Sequence, residues 1–383
     1  MRIVSIVFNN FLHDSRVLKE CISLKKAGYE PQVCALHENE LPEDETVEGI
    51  PVHRIRLKSR SWSKNRIVQA LKYVELWYRF IKRYRKTDII HCNDVEPLPL
   101  AVLTKLIFNR KLRIIYDAHE LEYDKAEAGS KYYPNFIIRL AERLCLPFTD
   151  GMLVVSPLVA QAYAKHYRMS KPPTVVMNCP YLRPQNAPKP DLFRQKFGIG
   201  KEQRIFLYQG SLIPRRGLEL LLELFAELPE KYALVVLGYG PLSPLAKQAA
   251  KQHPNIFFHP AVSPAQLDEY TASGDFGFCL YQGSSGNHRL TIGNKIFQYI
   301  NAGLPVLASS LDGLRYILRE PGLGMVVEDF RNKEQLRRAL LEIGQWKAEN
   351  YLPRLRQAAL KYNWEREEKK LLETYQALHN PKT

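Results

Sequence analysis

The 383-residue chain is predicted to be α/β, built as two doubly wound parallel-sheet domains facing across a cleft. Three observations predict this. Short β-rich apolar runs alternate with longer helical patterns almost from end to end, the rhythm of parallel strands joined by crossover helices. The rhythm breaks once, in a proline-rich stretch near the middle. The length exceeds what one compact core usually organises.

In the first half the expected strands are 2–8, 31–36, 52–57, 88–92, 113–118, 151–156 and 174–178. The first helix is expected from Asp14, an N-cap, through Val17, Cys21 and Leu24 at helical spacing to Gly28, a C′ residue. Pro180, Pro184, Pro188 and Pro190 suit neither helix nor central strand, so an interdomain linker is placed at 181–192. Beyond it the strands are 205–209, 233–237, 255–259, 275–280, 305–308 and 324–327. The domains are therefore 1–180 and 193–360, with a closing helix at 361–383 expected to pack back toward the first domain.

Apolar residues make up 45% and charged residues 25%, an ordinary globular balance. There is no apolar run of about eighteen residues, and MRIVSIVFNN lacks a signal peptide's tripartite pattern, so a cytoplasmic location is expected. The six cysteines are scattered without a CxxC pair and read as reduced core residues. The net charge of +15 is uneven: residues 1–190 hold 30 Lys/Arg against 20 Asp/Glu. Residues 52–86 carry twelve Lys/Arg and one acid, Glu75, interleaved with aromatics. That composition suits peripheral contact with an anionic membrane face, or equally a solvated helix with inward aromatics. Nucleic acid ranks last, because no nucleic-acid motif accompanies the charge.

Chemistry concentrates at strand ends of the second half. In TIGNKIFQYINAGLPV a turn leads into a helix whose free N–H groups favour an anion, and Lys295 adds a cation on the first turn. LYQGSLIPRRGLELLL is a strand ending at Gly210, then a loop with Arg215 and Arg216. Arginine bonds phosphate in bidentate fashion, and glycine allows close backbone approach. VVLGYGP supplies Gly238, Tyr239 and Gly240 at a third strand end.

The ordered succession of these motifs resembles the family-four retaining glycosyltransferases of the B type, with two Rossmann-like domains (GT-B). HDSRVLKECISLKKAGYEPQV, IIHCND and YDAHELEYD are similar to its N-terminal elements. QGSL..RRGLELLL, GYGP, SPAQLDEYTASGDFGFCLY, NKIFQYINAGLPV and KYNWEREEKKLLETYQAL follow in its C-terminal order. The resemblance implies a nucleoside diphosphate sugar as co-substrate and a carbohydrate or lipid-linked glycan as acceptor, with no other cofactor and no metal. It implies that Arg216 and Lys295 neutralise the leaving diphosphate, that His119 faces donor sugar and acceptor, and that the loop Ser284, Ser285 to His288 approaches the transferred sugar.

The family typically carries two glutamates eight residues apart, and this chain has Gln298 and Leu290 there. Gln298 retains hydrogen-bonding capacity for a ribose without a charge-assisted acceptor, and Asn287 and Asn294 are candidates to share the donor contacts. On the acceptor side the candidates are Asp14, Arg16, Asp94 and Glu96. Asp14 also reads as a helix cap, Arg16 as an i,i+4 partner of Glu20, and Asp94 and Glu96 as solvated loop acids. An epimerase or hydrolase of the same plan, or a binding subunit without catalysis, are the alternatives.

Overall fold

The computed structural model describes residues 1–12, 14–38, 40–63, 65–125, 135–184 and 186–379, with backbone alone at 66, 67, 69, 70 and 379. Lys64 of the basic segment, Gln185 of the proline-rich segment and 380–383 of the expected closing helix lie outside the described residues. The chain divides into two compact units, Met1–Val176 with Glu368–Thr383, and Met177–Glu367.

Unit 1 begins β1 (Arg2–Ile6), α1 (Ser15–Lys26), β2 (Glu30–Leu36), β3 (Asp44–Val47) and β4 (Ile50–Ile55). It continues α2 (Arg66–Tyr84), β5 (Ile89–Asn93), α3 (Leu98–Ile107), β6 (Arg113–Ala118), α4 (Asn135–Cys145), β7 (Gly151–Val154), α5 (Pro157–His166) and β8 (Thr174–Val175). Its sheet runs β3-β4-β2-β1-β5-β6-β7-β8, parallel except for β3. β5 and β6 read as unbroken buried runs because helices cover both faces of such a sheet. Asp14 caps α1 as expected, accepting from the Val17 N–H, and Gly28 turns the chain out at φ +88°.

Sequence reasoning missed β3. Asp44 and Glu45 give it no apolar alternation, since it is an edge strand, where charge blocks pairing with other chains. Its hairpin turn is Glu48–Gly49, both at positive φ, as a tight two-residue turn requires.

Unit 2 comprises α6 (Leu192–Phe197), β9 (Arg204–Ser211), α7 (Leu218–Ala226), β10 (Tyr232–Tyr239), α8 (Ser243–Gln252), β11 (Ile256–Pro260) and α9 (Pro264–Ala272). It continues β12 (Phe276–Cys279), α10 (Gly286–Leu290), α11 (Asn294–Asn301), β13 (Val306–Ser309), α12 (Asp312–Leu318) and β14 (Gly324–Val327). Last come α13 (Lys333–Ile343), α14 (Ala348–Lys361) and α15 (Trp364–His379), whose residues from Glu368 onward belong to unit 1. The sheet order is β11-β10-β9-β12-β13-β14, entirely parallel. Phe206 stacks on Phe276 and Phe278 across β9 and β12, fixing the centre of the core.

The proline-rich segment has no helix or strand among its described residues, yet it is anchored within unit 2. Arg183 pairs with Asp268 and Lys189 with Asp275, each at 2.5 Å. The boundary between units falls at Val176–Met177, ahead of the expected linker.

Candidate functional site

In unit 2 the strand order reverses between β9 and β12, the topological switch point where ligands settle at the carboxyl ends of a doubly wound sheet. Gly210 stands one residue before the end of β9, at φ +110°. A Cβ on Gly210 would stand 2.7 Å from Lys295 Cε, so glycine is what lets the lysine lie flat across the strand end. A Cβ on Gly238 would fall 1.9 Å from the Gly210 carbonyl oxygen, which keeps the ends of β9 and β10 in contact. Tyr239 projects beyond them, well exposed, and Gly240 turns the chain at φ +143°.

Lys295 sits on the first turn of α11, whose N-cap, Gly293, offers no side chain to the free N–H groups. Its ammonium lies 4.8 Å from the Tyr208 ring centre and 5.7 Å from that of Tyr281, and the Arg216 guanidinium lies 5.6 Å from Tyr281. Two cations thus share one aromatic ring, and among the described residues neither has a carboxylate partner. Burial lowers Lys295 to about 8, and repulsion from Arg216 acts in the same direction. Both effects are relieved by an anion bound between the cations. Arg215 is exposed at φ +66°, while Arg216 is half-buried, so the second arginine of the pair is the one aimed at the slot.

The loop after β12 forms the neighbouring wall. Ser285 caps α10 by accepting from the His288 N–H, and Ser284 Oγ lies 3.1 Å from His288 Nδ1. Asn287 is buried and accepts from the Thr291 hydroxyl at 2.7 Å, which makes it a brace for this loop. Asn294 is exposed at the start of α11. Gln298 accepts from the Gln209 amide at 2.7 Å, and Gln209 in turn accepts from Thr271 at 2.9 Å. The amide N–H₂ of Gln298 and the second lone pair of its carbonyl oxygen then remain for a ligand hydroxyl. Tyr208, Gln209 and Tyr281 were missed from sequence. Their signal was the tetrapeptide LYQG, present at 207–210 and again at 280–283, at the two strand ends flanking the switch point.

Unit 1 gathers a charged cluster at the ends of β5 and β6. Arg16 on α1 is a bidentate partner of Asp117 at 2.9 Å, pairs with Glu20 at 3.0 Å and donates to the Val176 carbonyl at 2.7 Å. It is 4% exposed, so this acceptor-side candidate is corrected to an internal clamp. The predicted Glu20 pair is present but is the lesser part of its role. Asp14 likewise serves as the cap of α1, also accepting from Asn9 at 3.1 Å.

His119 is half-buried beyond the end of β6, its Nε2 3.2 Å from Asp117 and its Nδ1 3.8 Å from Asp94. Burial acts to lower its pKa, but Asp94 and Asp117 outweigh burial and raise it to about 10. His119 is therefore an imidazolium at neutral pH, suited to stabilising charge rather than accepting a proton. Asp117 is held well below the usual carboxylate range by Arg16 and His119, against the effect of burial. Asp94 has φ +66° and also accepts from the His119 N–H at 3.3 Å. Burial and the nearby Asp94 raise the Glu96 carboxyl.

Behind this cluster, His91 Nε2 lies 3.6 Å from Glu20 and 3.5 Å from Asp117, and its Nδ1 is 2.7 Å from the Tyr375 hydroxyl of α15. Glu20, His91 and Asp117 have the donor types of a metal site. Arg16 already lies between the two carboxylates and supplies the balancing charge. All six cysteines are buried and outside disulfides, and burial raises the thiols of Cys21, Cys34, Cys92, Cys145 and Cys279, so none of these five is poised as a nucleophile. In the basic segment, Phe80 and Tyr84 are core residues while Trp62 and Tyr78 are exposed. Among the described residues, no helix is long and apolar enough to cross a membrane.

Two parallel-sheet α/β units, the second with Arg216 and Lys295 at its switch point, match the fold class of B-type glycosyltransferases. The chain belongs to glycosyltransferase family 4: residues 15–180 match the description Glycosyltransferase Family 4, and residues 190–361 match Glycosyl transferases group 1. It is similar to the lipopolysaccharide glucosyltransferase WaaG of Escherichia coli, 26% identical over 203 residues, covering 50% of this chain and 52% of that protein. It is also similar to the chitobiosyldiphosphodolichol beta-mannosyltransferase of Kluyveromyces lactis, 24% identical over 89% of this chain and 81% of the relative. Among solved structures, sucrose-phosphate synthase from Thermosynechococcus elongatus has a TM-score of 0.76 at 17% identity, with both chains fully covered. Anabaena HepE, solved with UDP and glucose, has 0.73 at 14% identity, covering 98% of this chain and 100% of that one.

Proposed function

We propose that the protein is a retaining glycosyltransferase that moves a sugar from a nucleoside diphosphate donor to a carbohydrate or lipid-linked glycan. The observation that carries the reading is the pair Arg216 and Lys295, sharing Tyr281 over Gly210 with no carboxylate partner among the described residues. A diphosphate leaving group needs that charge as its glycosidic bond breaks, and two fixed cations provide it without a metal. Relatives support the substrate class: HepE was solved with UDP and glucose, and the two curated relatives are named for a lipopolysaccharide and a dolichol-linked substrate. No protein nucleophile is required for this reading, since positioning and charge stabilisation supply the catalysis.

Cytoplasmic, peripheral association with an anionic membrane face through residues 52–86 belongs to the same proposal, supported by their cations and the exposed Trp62 and Tyr78. The test is titration with UDP-, GDP- and ADP-sugars; saturable binding of none by the folded protein sinks the reading. A second reading, a sugar-nucleotide-binding subunit without catalysis, is favoured by Gln298, whose carbonyl is tied to Gln209. Donor binding without turnover toward any glycan acceptor would support it.

A further inference from the structure

The closing helix reaches the charged cluster of unit 1 from behind, through one hydroxyl. On α15, Tyr375 is fully buried, its ring edge-on to Tyr29 at 5.5 Å and stacked with His91 at 6.1 Å between ring centres. The hydroxyl lies 2.7 Å from His91 Nδ1, its one hydrogen-bond partner among the described residues. A phenol hydroxyl has a single proton, and a buried proton without an acceptor is costly. The proton therefore goes to Nδ1, which is the bare nitrogen of the ring, and the ring hydrogen sits on Nε2. A ring nitrogen that bears hydrogen has no lone pair for a metal, so the set Glu20, His91 and Asp117 lacks one of its three ligands.

The Nε2 hydrogen faces two carboxylates, Asp117 at 3.5 Å and Glu20 at 3.6 Å. Burial raises the Glu20 carboxyl to about 7, so Asp117 carries the larger share of charge. Asp117 is also the common point of the cluster. Its Oδ2 accepts from Arg16 Nε at 3.0 Å and lies 3.2 Å from His119 Nε2. One oxygen thus divides its charge among Arg16, His91 and His119. The share that reaches His119 depends on whether His91 is a neutral donor or a cation. The two neighbouring acids draw a second proton to the His91 ring, and the Tyr375 hydroxyl, bonded to the nitrogen that would receive it, opposes them. The other charged groups along this chain of contacts are Asp94, 3.8 Å from His119 Nδ1, and Asp14, which acts on Arg16. Cys21 and Tyr29 complete the titratable neighbours of Tyr375.

We infer that Tyr375 is a positioning residue for His119. By donating to His91 Nδ1 it holds His91 in the neutral form with hydrogen on Nε2, which leaves the charge of Asp117 to His119 and Arg16. The inference rests on the glycosyltransferase reading for the importance of His119, and it adds to that reading a residue of the last helix that acts only through His91 and Asp117.

The test is Tyr375→Phe in the full-length protein, read by NMR of the histidine ring nitrogens and by kinetics. The variant keeps the ring that packs on Tyr29 and His91 and loses only the hydroxyl. Wild-type His91 is expected to carry hydrogen on Nε2 alone. In the variant it is expected to gain a second proton at Nδ1 near neutral pH. His119, beside an Asp117 now shared with a second cation, is then expected to titrate about one pH unit below its wild-type value of about 10. With donor and acceptor supplied, kcat is expected to fall roughly tenfold while donor Kd stays within about twofold. A wild-type His91 with hydrogen on Nδ1 overturns the inference, and that measurement decides the question even where the variant does not fold. So does a variant whose His119 titrates as in wild type, or whose kcat is unchanged or falls only in step with donor affinity. The NMR arm needs no substrate: a wild type without turnover sinks the glycosyltransferase reading and leaves the histidine measurements to decide the role of Tyr375.

Discussion

Asp94 is the most direct handle on the state of His119. Its substitution by Asn is nearly isosteric, keeps an oxygen for the His119 N–H, and suits the left-handed backbone at φ +66°. What it removes is a carboxylate 3.8 Å from His119 Nδ1. At that separation two unit charges interact by about 4 kcal/mol at an effective dielectric of about 20 and by about 1 kcal/mol in bulk water. The side chains are 19% and 31% exposed, which places the pair between those limits. At about 1.4 kcal/mol per pH unit, the His119 pKa is expected to fall from about 10 by about one to two pH units in Asp94→Asn. Asp117 keeps the ring protonated at neutral pH in the variant.

The assay is an NMR titration of the histidine ring in both proteins. Stability gives a second readout with a definite sign. Between the unfolded value of 6.5 and about 10 the native state holds one proton more than the unfolded chain. Stability from this group is thus complete below that window and falls as pH rises through it, by about 1.4 kcal/mol per pH unit. In Asp94→Asn the decline should end at lower pH. A wild-type His119 that titrates near 6.5, or a variant whose His119 titrates as in wild type, refutes the ion-pair reasoning.

Four further outcomes are expected. Lys295→Met should lower kcat/KM by roughly a hundredfold, as loss of one charge-stabilising group typically does. Because burial sets Lys295 at about 8, wild-type donor affinity should weaken as pH rises above that value, and calorimetry on Lys295→Met should show no such step. Gln298→Glu keeps the Gln209 contact and adds a charged acceptor for a ribose hydroxyl, so donor should bind roughly tenfold tighter; unchanged affinity would place the ribose elsewhere. Gly210→Ala strains a position at φ +110° and displaces the Lys295 side chain, costing about 1–2 kcal/mol in stability, measured by chemical denaturation, together with donor affinity.

Much of the fold was legible because parallel strands buried on both faces, such as Ile89–Asn93 and Tyr232–Tyr239, write themselves as apolar runs. Edge strand β3 did not, because its charged residues serve to prevent pairing rather than to fill a core. The cations proposed for the phosphate side were legible as loop Arg and first-turn Lys, since their chemistry is carried by residue type. The aromatic ring they share was not, because Tyr281, just past the expected strand 275–280, reads as an ordinary loop residue until β12 is placed beside β9. Arg16 was misjudged for a related reason: its partner Asp117 lies a hundred and one residues away, and helical spacing reveals only Glu20. The charge of His119 was equally hidden, because it depends on Asp94 from the neighbouring strand end.

The last helix carries a consequence for how the molecule is made. Tyr375 is fully buried in unit 1, against His91 of the central sheet, and Glu368 accepts from Ser23 of α1 at 2.7 Å. The N-terminal unit therefore lacks part of its own interior until the ribosome has delivered residues beyond 368. The last step of folding the first unit thus comes after the second unit has been synthesised. Throughout translation of the second unit, the first must persist with His91 unsealed, and a chain stopped short of α15 leaves both units unfinished.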